Sequence, residues 1–465
     1  MSDSSLGTPE RPLRVAIVGA GPSGFYAANA LLKSTDLVAE VDLIDRLPTP
    51  FGLVRGGVAP DHQKIKSVVK AYNKTAQDPR FRFFGNVSVG TDVTVAELQA
   101  NYDQVCFAFG AESSRRLGIE GEDLDGSHSA TAFVGWYNAH PDYRDLTFDL
   151  STKAVVVVGV GNVAMDVARV LAQDPERLAG TDIADYALEA LRSSSVTDVY
   201  VLGRRGPAQA AFSPAEIKEI GELEGVDLIL PPSSYEVDEV SATWLAESGE
   251  KSNHKNVEYL QQMAAEGTTG ASRRVHLLML ASPVAITGEG ERMTGVQVER
   301  NEIYCDDRGN PRPRGTGAIT SIEAGLLFRS VGYKGTQLPG LPYHKDWGIV
   351  PNDEGRITDE GGTILPGLYV VGWAKRGPSG LIGTNRADSV ATVAHMIADA
   401  LGSAPVDVPD AEGAAAFLAS KIDKLVTWAD WERIDQLEVA RGEAKGQIRR
   451  KFTNVADMLK ALTSS

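Results

Sequence analysis

Gly19, Gly21 and Gly24 stand in a G-x-G-x-x-G spacing directly after the apolar run at 15–18. The chemistry of that spacing is phosphate binding by the main chain. The first glycine permits a tight turn, the second lets the backbone approach a pyrophosphate, and the third lets a helix pack closely on the strand. Together with Pro22 and Ser23 they open a helix whose free N–H groups and positive dipole end favour an anion. Asp45 closes a second strand at 41–45, 21 positions beyond Gly24. A carboxylate there can accept hydrogen bonds from a ribose diol.

The pattern returns. Residues 155–171 read VVVVGVGNVAMDVARVL, against VAIVGAGPSGFYAANAL at 15–31. Gly159 and Gly161 match Gly19 and Gly21, and Ala164 replaces the third glycine, so two dinucleotide sites are expected. The second differs at its ribose end, where a strand at 198–202 runs into Gly203-Arg204-Arg205-Gly206-Pro207. Two guanidiniums can fork onto a 2′-phosphate, whereas Asp45 would repel one. The second site therefore suits NADP(H) and the first a nucleotide with a free ribose diol. Two nucleotides in one chain make sense if one carries hydride to the other, which makes the first FAD, lying extended with its flavin near the loop at 46–60. No Ser/His/Asp or Cys/His constellation is evident, and hydride transfer needs none; no metal site is expected.

The elements that must position these residues follow from pattern. With 465 residues the chain is long enough for two to three domains, and 43% hydrophobic residues with 47 glycines suit an α/β protein rich in tight turns. The fold expected is α/β, with two Rossmann-like dinucleotide-binding domains, the NADP domain inserted into the FAD domain. The divisions are 1–113 and 336–465 for FAD, the latter with a helical tail, and 114–335 for NADP. Residues 46–60, RLPTPFGLVRGGVAP, hold three glycines and three prolines and form a shaped loop. A helix opens at 61–64 with Ile65, Val68, Val69 and Tyr72 on its apolar face and Lys66, Lys70 and Lys74 beside it. Further strands are expected at 81–89, 104–111, 275–279, 295–299, 325–328 and 368–372. A polar, irregular, solvent-facing insertion is expected at 232–275, and a polar helical tail packed on the outside from 411.

Composition excludes several classes. Lys and Arg number 46 against 62 Asp and Glu, a net charge of −16, which argues against nucleic-acid binding. No apolar stretch is long enough to span a bilayer, and the N-terminus has neither a signal core nor a transit helix, so a cytoplasmic protein is expected. Only Cys106 and Cys305 occur, without a C-x-x-C. Neither a redox dithiol nor a ligand set for an iron–sulfur cluster is therefore present.

The segments GAGPSGFYAA, PTPFGLVRGGVAPDH, GVGNVAMDVAR, GRRGPAQAAFSPAEIKE and VGWAKRGPSGLIGTNR, spread over nearly the whole chain, resemble the adrenodoxin reductase-type ferredoxin–NADP(+) reductases. The resemblance implies FAD on Gly19, Gly21, Pro22, Ser23, Gly24, Asp45, Leu53 and Val87, and around its isoalloxazine Trp373, Gly380, Leu381 and Ile382. It implies NADP on Gly161, Asn162 and Val163, with Arg204, Arg205 and Glu216 around the adenosine phosphate and Arg115 nearby. His62 and Glu219 match the family residues beside the nicotinamide. Read alone, His62 is equally a helix-start histidine without chemistry. Two departures stand out against related disulfide reductases: Trp373 replaces the Asp after Gly372, and Phe109 replaces a Thr.

The electron acceptor implied is a separate ferredoxin-type iron–sulfur protein. Ferredoxins are usually acidic, and so is this chain. Docking would then need a local basic patch, for which the candidates are Lys66, Lys70 and Lys74, with Arg273-Arg274 or a stripe of Arg441, Lys445 and Arg449 as others. Two other readings share the fold: an electron-input flavoprotein of a glutamate-synthase-like system, whose N-terminal cysteine clusters are missing here, and a non-catalytic NADP-sensing protein.

Overall fold

The computed structural model describes residues 5–380, 382–404 and 406–463. The chain divides into two compact units, one of residues 1–113 with 333–465 and the other of residues 114–332.

In the first unit a seven-stranded sheet runs in the order Asn352–Asp353, Arg356–Thr358, Ile364–Val370, Gln104–Phe107, Leu13–Val18, Ala39–Ile44, Phe81–Phe84. The last five of these strands are mutually parallel, and the two short ones pair antiparallel at one edge. Leu13–Val18 is buried at nearly every position, because helices cover both faces of a parallel sheet. Residues paired to it on one side come from Ala39–Ile44 and on the other from Gln104–Phe107, so the chain reverses its winding there. The crevice beyond the carboxyl ends of such strands is where ligands enter doubly wound sheets.

The second unit repeats the plan. Its six-stranded parallel sheet has the order Ser127–Ser129, Leu326–Arg329, Ala154–Val158, Asp198–Gly203, Arg273–Met279, Val226–Ile229. A separate three-stranded antiparallel sheet, Ala281–Glu289, Arg292–Cys305 and Pro311–Glu323, is attached to it. Both main sheets are of Rossmann type, with parallel strands and helices between them.

Several expectations need correction. Residues 232–275 are not irregular: they carry the helices Glu239–Ser248 and Lys251–Glu266. Asn256, Val257 and Leu260 of the second are buried, so a narrow inward stripe suffices on an otherwise polar helix. The tail is not merely external. It forms Ala411–Lys421, Trp428–Glu443 and Val455–Thr463, and Trp431, Ile434 and Met458 enter the hydrophobic core of the first unit. The long helix after the last core strand spans Ile382–Leu401. The strands expected at 81–89 and 104–111 end at Phe84 and Phe107.

The lysine stripe fails as well. The helix after the loop at 46–60 is interrupted, with Gln63–Lys66 and Val69–Ala76 separated at Ser67 and Val68. The four-residue spacing therefore does not keep one face: Lys66 is buried while Lys70 and Lys74 are exposed, and Ile65 is exposed. Of the other cations, Arg274 is paired with Asp198, Arg273 donates to the carbonyls of Ala172 and Gln173, and Arg449 pairs with Asp435 and Glu438. Among the described residues no helix is long and apolar enough to cross a membrane.

Candidate functional site

Each unit places its glycine turn at the end of a central strand, and the two turns are built alike. The Gly19 N–H donates to the Ile44 carbonyl at 2.7 Å, and the Gly159 N–H to the Leu202 carbonyl at 2.9 Å. Both residues lie at positive φ, +113° and +126°. A Cβ on Gly19 would stand 2.5 Å from the Ala108 carbonyl oxygen, and one on Gly159 only 2.2 Å from that of Ser330. Only glycine fits in either place. The third position differs. A Cβ on Gly24 would meet the Gly19 oxygen at 2.1 Å, whereas Ala164 carries its methyl fully buried.

The second glycines give the ligand test. A Cβ on Gly21 or Gly161 would meet no protein atom within 4 Å, so each borders open space that a pyrophosphate can enter. They are the N-caps of Pro22–Leu32 and Asn162–Ala172, and no side chain caps either helix. The orphan N–H groups and dipole of both helices are thus available to an anion. Pro22 is half-buried, Ser23 and Gly24 are buried, and Asn162 and Val163 are half-buried. The residues fit the two dinucleotides.

Around the first turn, Asp45 follows the strand Ala39–Ile44. Its Oδ2 accepts from the Ala20 N–H at 2.7 Å and its Oδ1 from the Leu47 N–H at 2.9 Å. Burial pushes its carboxyl above the usual range despite these two donors. Each oxygen keeps a further lone pair for a hydroxyl. Val87, fully buried, donates its N–H to the Asp45 carbonyl at 2.9 Å. Residues 46–60 fold over the glycine turn: the Phe51 N–H donates to the Ala20 carbonyl at 2.7 Å, and a Cβ on Gly52 would lie 3.0 Å from the Gly21 Cα. Leu53 begins the single helical turn Leu53–Gly56, and His62 is the N-cap of Gln63–Lys66.

The loop after the last core strand packs on the same helix start. A Cβ on Gly372 would fall 2.1 Å from Ser23 Oγ, and Ser389 Oγ donates to the Ser23 carbonyl at 3.1 Å. Asp388 fixes this loop, accepting from the Gly372 N–H at 2.6 Å and pairing with Lys375 at 3.1 Å. Trp373 opens the short helix Trp373–Arg376, and its indole donates to the Ser379 carbonyl at 3.2 Å. Gly380, at φ +80°, is exposed, and Ile382 begins the helix Ile382–Leu401. Leu381 lies outside the described residues.

In the second unit Arg204 and Arg205 follow the strand Asp198–Gly203, the first exposed and the second half-buried. Burial lowers the Arg205 pKa, and the neighbouring charges of Arg204 and Arg312 add to that. Three cations crowded together are a setting for a phosphate dianion. Arg312 lies on the antiparallel hairpin and was not singled out from the sequence, since it is remote from any glycine pattern. The hairpin is tied to the arginine pair: Asn301 Nδ2 donates to the Arg204 carbonyl at 2.8 Å, and the Leu280 N–H to that of Arg205 at 3.0 Å. Arg115 is exposed, its N–H bound to the Gly332 carbonyl at 3.1 Å.

Asn162 Oδ1 accepts from the Ser213 N–H at 2.8 Å and so seats the helix Pro214–Gly221 on the second turn. That helix presents Glu216 and Glu219 to Arg169, a residue only 3% exposed. The guanidinium bonds Asp166 at 2.7 Å and Glu216 at 3.2 Å, and reaches Glu219 at 3.5 Å. Asp166 and Arg169 sit on the fingerprint helix itself, where their i, i+3 spacing was a signal that sequence reading passed over.

Comparison with known proteins agrees with this architecture. The family model of the pyridine nucleotide-disulphide oxidoreductases matches residues 13–381. The chain is 46% identical over 463 residues to the NADPH-ferredoxin reductase FprA of Mycobacterium tuberculosis (strain ATCC 25618 / H37Rv), covering 97% of this chain and 99% of that one. It is 40% identical over 472 residues to the mitochondrial NADPH:adrenodoxin oxidoreductase of Salvelinus fontinalis, covering 98% and 92%. The solved structure of Mycobacterium tuberculosis FprA in complex with NADPH superposes with a TM-score of 0.92 at 45% identity, covering 98% of this chain and all of that one. The chain belongs to the pyridine nucleotide-disulphide oxidoreductase family, in the branch that holds the NADPH–ferredoxin and adrenodoxin reductases.

Proposed function

We propose that this chain is an FAD-dependent NADPH–ferredoxin reductase, which takes hydride from NADPH and delivers single electrons to a ferredoxin-type iron–sulfur protein. One observation carries the reading: two glycine turns of the same geometry differ at their ribose ends, Asp45 at one and Arg204-Arg205 at the other. Near-full-length identity to reductases of that name supports it. Bound FAD supplies the step between a two-electron donor and a one-electron acceptor.

The residues of the chain bind and orient. In the first unit Gly19, Gly21, Pro22, Ser23, Gly24, Asp45, Leu53 and Val87 hold FAD, and Trp373, Gly380 and Ile382 border its ring. In the second, Gly161, Asn162 and Val163 take the pyrophosphate of NADP, with Arg204, Arg205, Glu216 and Arg115 toward its adenosine end. His62 in the first unit and Glu219 in the second are assigned orienting roles, Glu219 held within reach of Arg169. Lys70 and Lys74, exposed on Val69–Ala76, are the cations proposed to meet an acidic iron–sulfur partner. The absence of a C-x-x-C and the two free cysteines suit a cytoplasmic protein.

The test is spectroscopic. Purified protein should be yellow, and anaerobic NADPH should bleach it and then reduce a ferredoxin. A colourless protein that cannot be reconstituted with FAD, yet binds NADP, would favour the sensor reading instead.

A further inference from the structure

The flavin loop carries a conformation it would not keep alone. Phe51 lies at φ +84°, a region costing a side-chain residue about 1–2 kcal/mol, and Gly52 follows at φ +47°. Just beyond, Arg55 is received by the C-terminal tail. Its guanidinium forks onto Glu438 at 2.8 and 2.5 Å, and Glu438 is completely buried. The same carboxylate accepts from Arg449 at 3.1 Å and from the Phe452 N–H at 2.8 Å. Lys451, also buried, donates to the Arg55 carbonyl at 2.9 Å.

Apolar contacts run along the same seam. The Phe51 ring meets Trp428 at 6.2 Å and Trp431 at 5.6 Å, both edge-on, and Arg55 stacks over Trp431 at 5.3 Å. A buried carboxylate is costly unless fully paired. Here every partner is either the flavin loop or the tail itself.

We propose that the tail helix Trp428–Glu443 and the segment 449–452 form a clamp for FAD: through Glu438 on Arg55 they hold the 51–56 turn against the Gly21 turn and set how firmly the flavin is retained. This rests on the reading that the first unit binds FAD. Glu438, Arg449 and Lys451 act as positioning residues through Arg55, without touching the cofactor.

The experiment follows FAD release from the full-length holoprotein by the rise of free-flavin fluorescence, with apoprotein unfolding monitored by circular dichroism. Glu438→Gln should release FAD about tenfold faster or more, since it strands Arg55 beside a neutral amide. The paired change Arg55→Met with Glu438→Leu removes both charges and leaves Arg449 on Asp435. It should also release FAD faster while the apoprotein unfolds as the wild type does. Lys421→Met, on the same tail, removes the exposed bridge to Glu97 and a cation–π contact with Phe417 but no contact of Arg55 or Glu438, and is the control. Should the variants fail to fold, hydrogen exchange on wild-type apoprotein decides: added FAD must slow exchange both at 51–56 and at 428–452. Unchanged release in both variants, or protection of the loop without the tail, overturns the clamp. A wild-type protein that takes up no FAD at all overturns the functional reading, a separate result.

Discussion

Asp45 and the Arg204-Arg205 pair occupy corresponding places, each after the strand that follows its unit's glycine-turn helix, and on the proposed reading their charges set which nucleotide each place tolerates. A hydrogen bond to a charged group is worth about 1.5–3 kcal/mol, so Arg205→Ala should raise KM for NADPH by about ten- to a hundredfold and leave KM for NADH nearly unmoved. Equal rises for both would remove the 2′-phosphate assignment. Arg312→Ala should act in the same direction but more weakly, because Arg312 is also bonded to Asp306 at 2.8 Å. The glycines allow a sharper separation. Gly161→Val fills the open space beside the second turn without clashing with protein, so flavin reduction by NADPH should vanish while FAD stays bound. Loss of the yellow colour from that variant would mean the two cofactors had been assigned to the wrong turns.

At the scale of elements, the clamp has a pH signature with a definite sign. Burial alone would raise the Glu438 pKa, but Arg55 and Arg449 outweigh it and hold the carboxyl below the usual carboxylate range. A group depressed in the folded state stabilises it above its unfolded pKa, about 4.3, and that stabilisation is lost as pH falls through the folded value. The groups facing Glu438 are Arg55, Arg449 and Lys451, and Asp435 pairs with Arg449. FAD release, measured by fluorescence, should therefore be flat from pH 8 to about 5 and accelerate only below about 4, with Glu438→Gln abolishing the acid limb. A limb near neutrality would point to another group. The clamp also shows what sequence could convey. Both glycine turns, Asp45 and the arginine pair were legible because local spacing dictates the turn, and the strands entering the two turns, at 15–18 and 155–158, are continuous apolar runs. The tail was not, since Glu438 looks solvated until Arg55, nearly four hundred positions away, folds onto it. Lys66 misled for the same reason: a break at Ser67 and Val68 turned one lysine of a regular stripe inward.

Over the whole molecule, 62 acidic against 46 basic side chains leave a net charge of −16, so an acidic iron–sulfur protein approaches against the mean field. Screening distinguishes that field from a local attraction, because the Debye length falls from about 30 Å at 0.01 M salt to about 8 Å at 0.15 M. If the mean field governed the encounter, added salt would speed ferredoxin reduction by screening repulsion. If Lys70 and Lys74 guide docking, their attraction dominates at short range and salt should slow it. The expected result is a bimolecular rate that falls as ionic strength rises, measured by stopped flow with flavin reduction by NADPH as the internal control. Replacing Lys70 and Lys74 by Glu should lower the rate at low salt by about tenfold and reverse its slope, since repulsion is then all that remains to be screened. A rate that rises with salt in the unaltered protein would place the docking surface away from the helix Val69–Ala76.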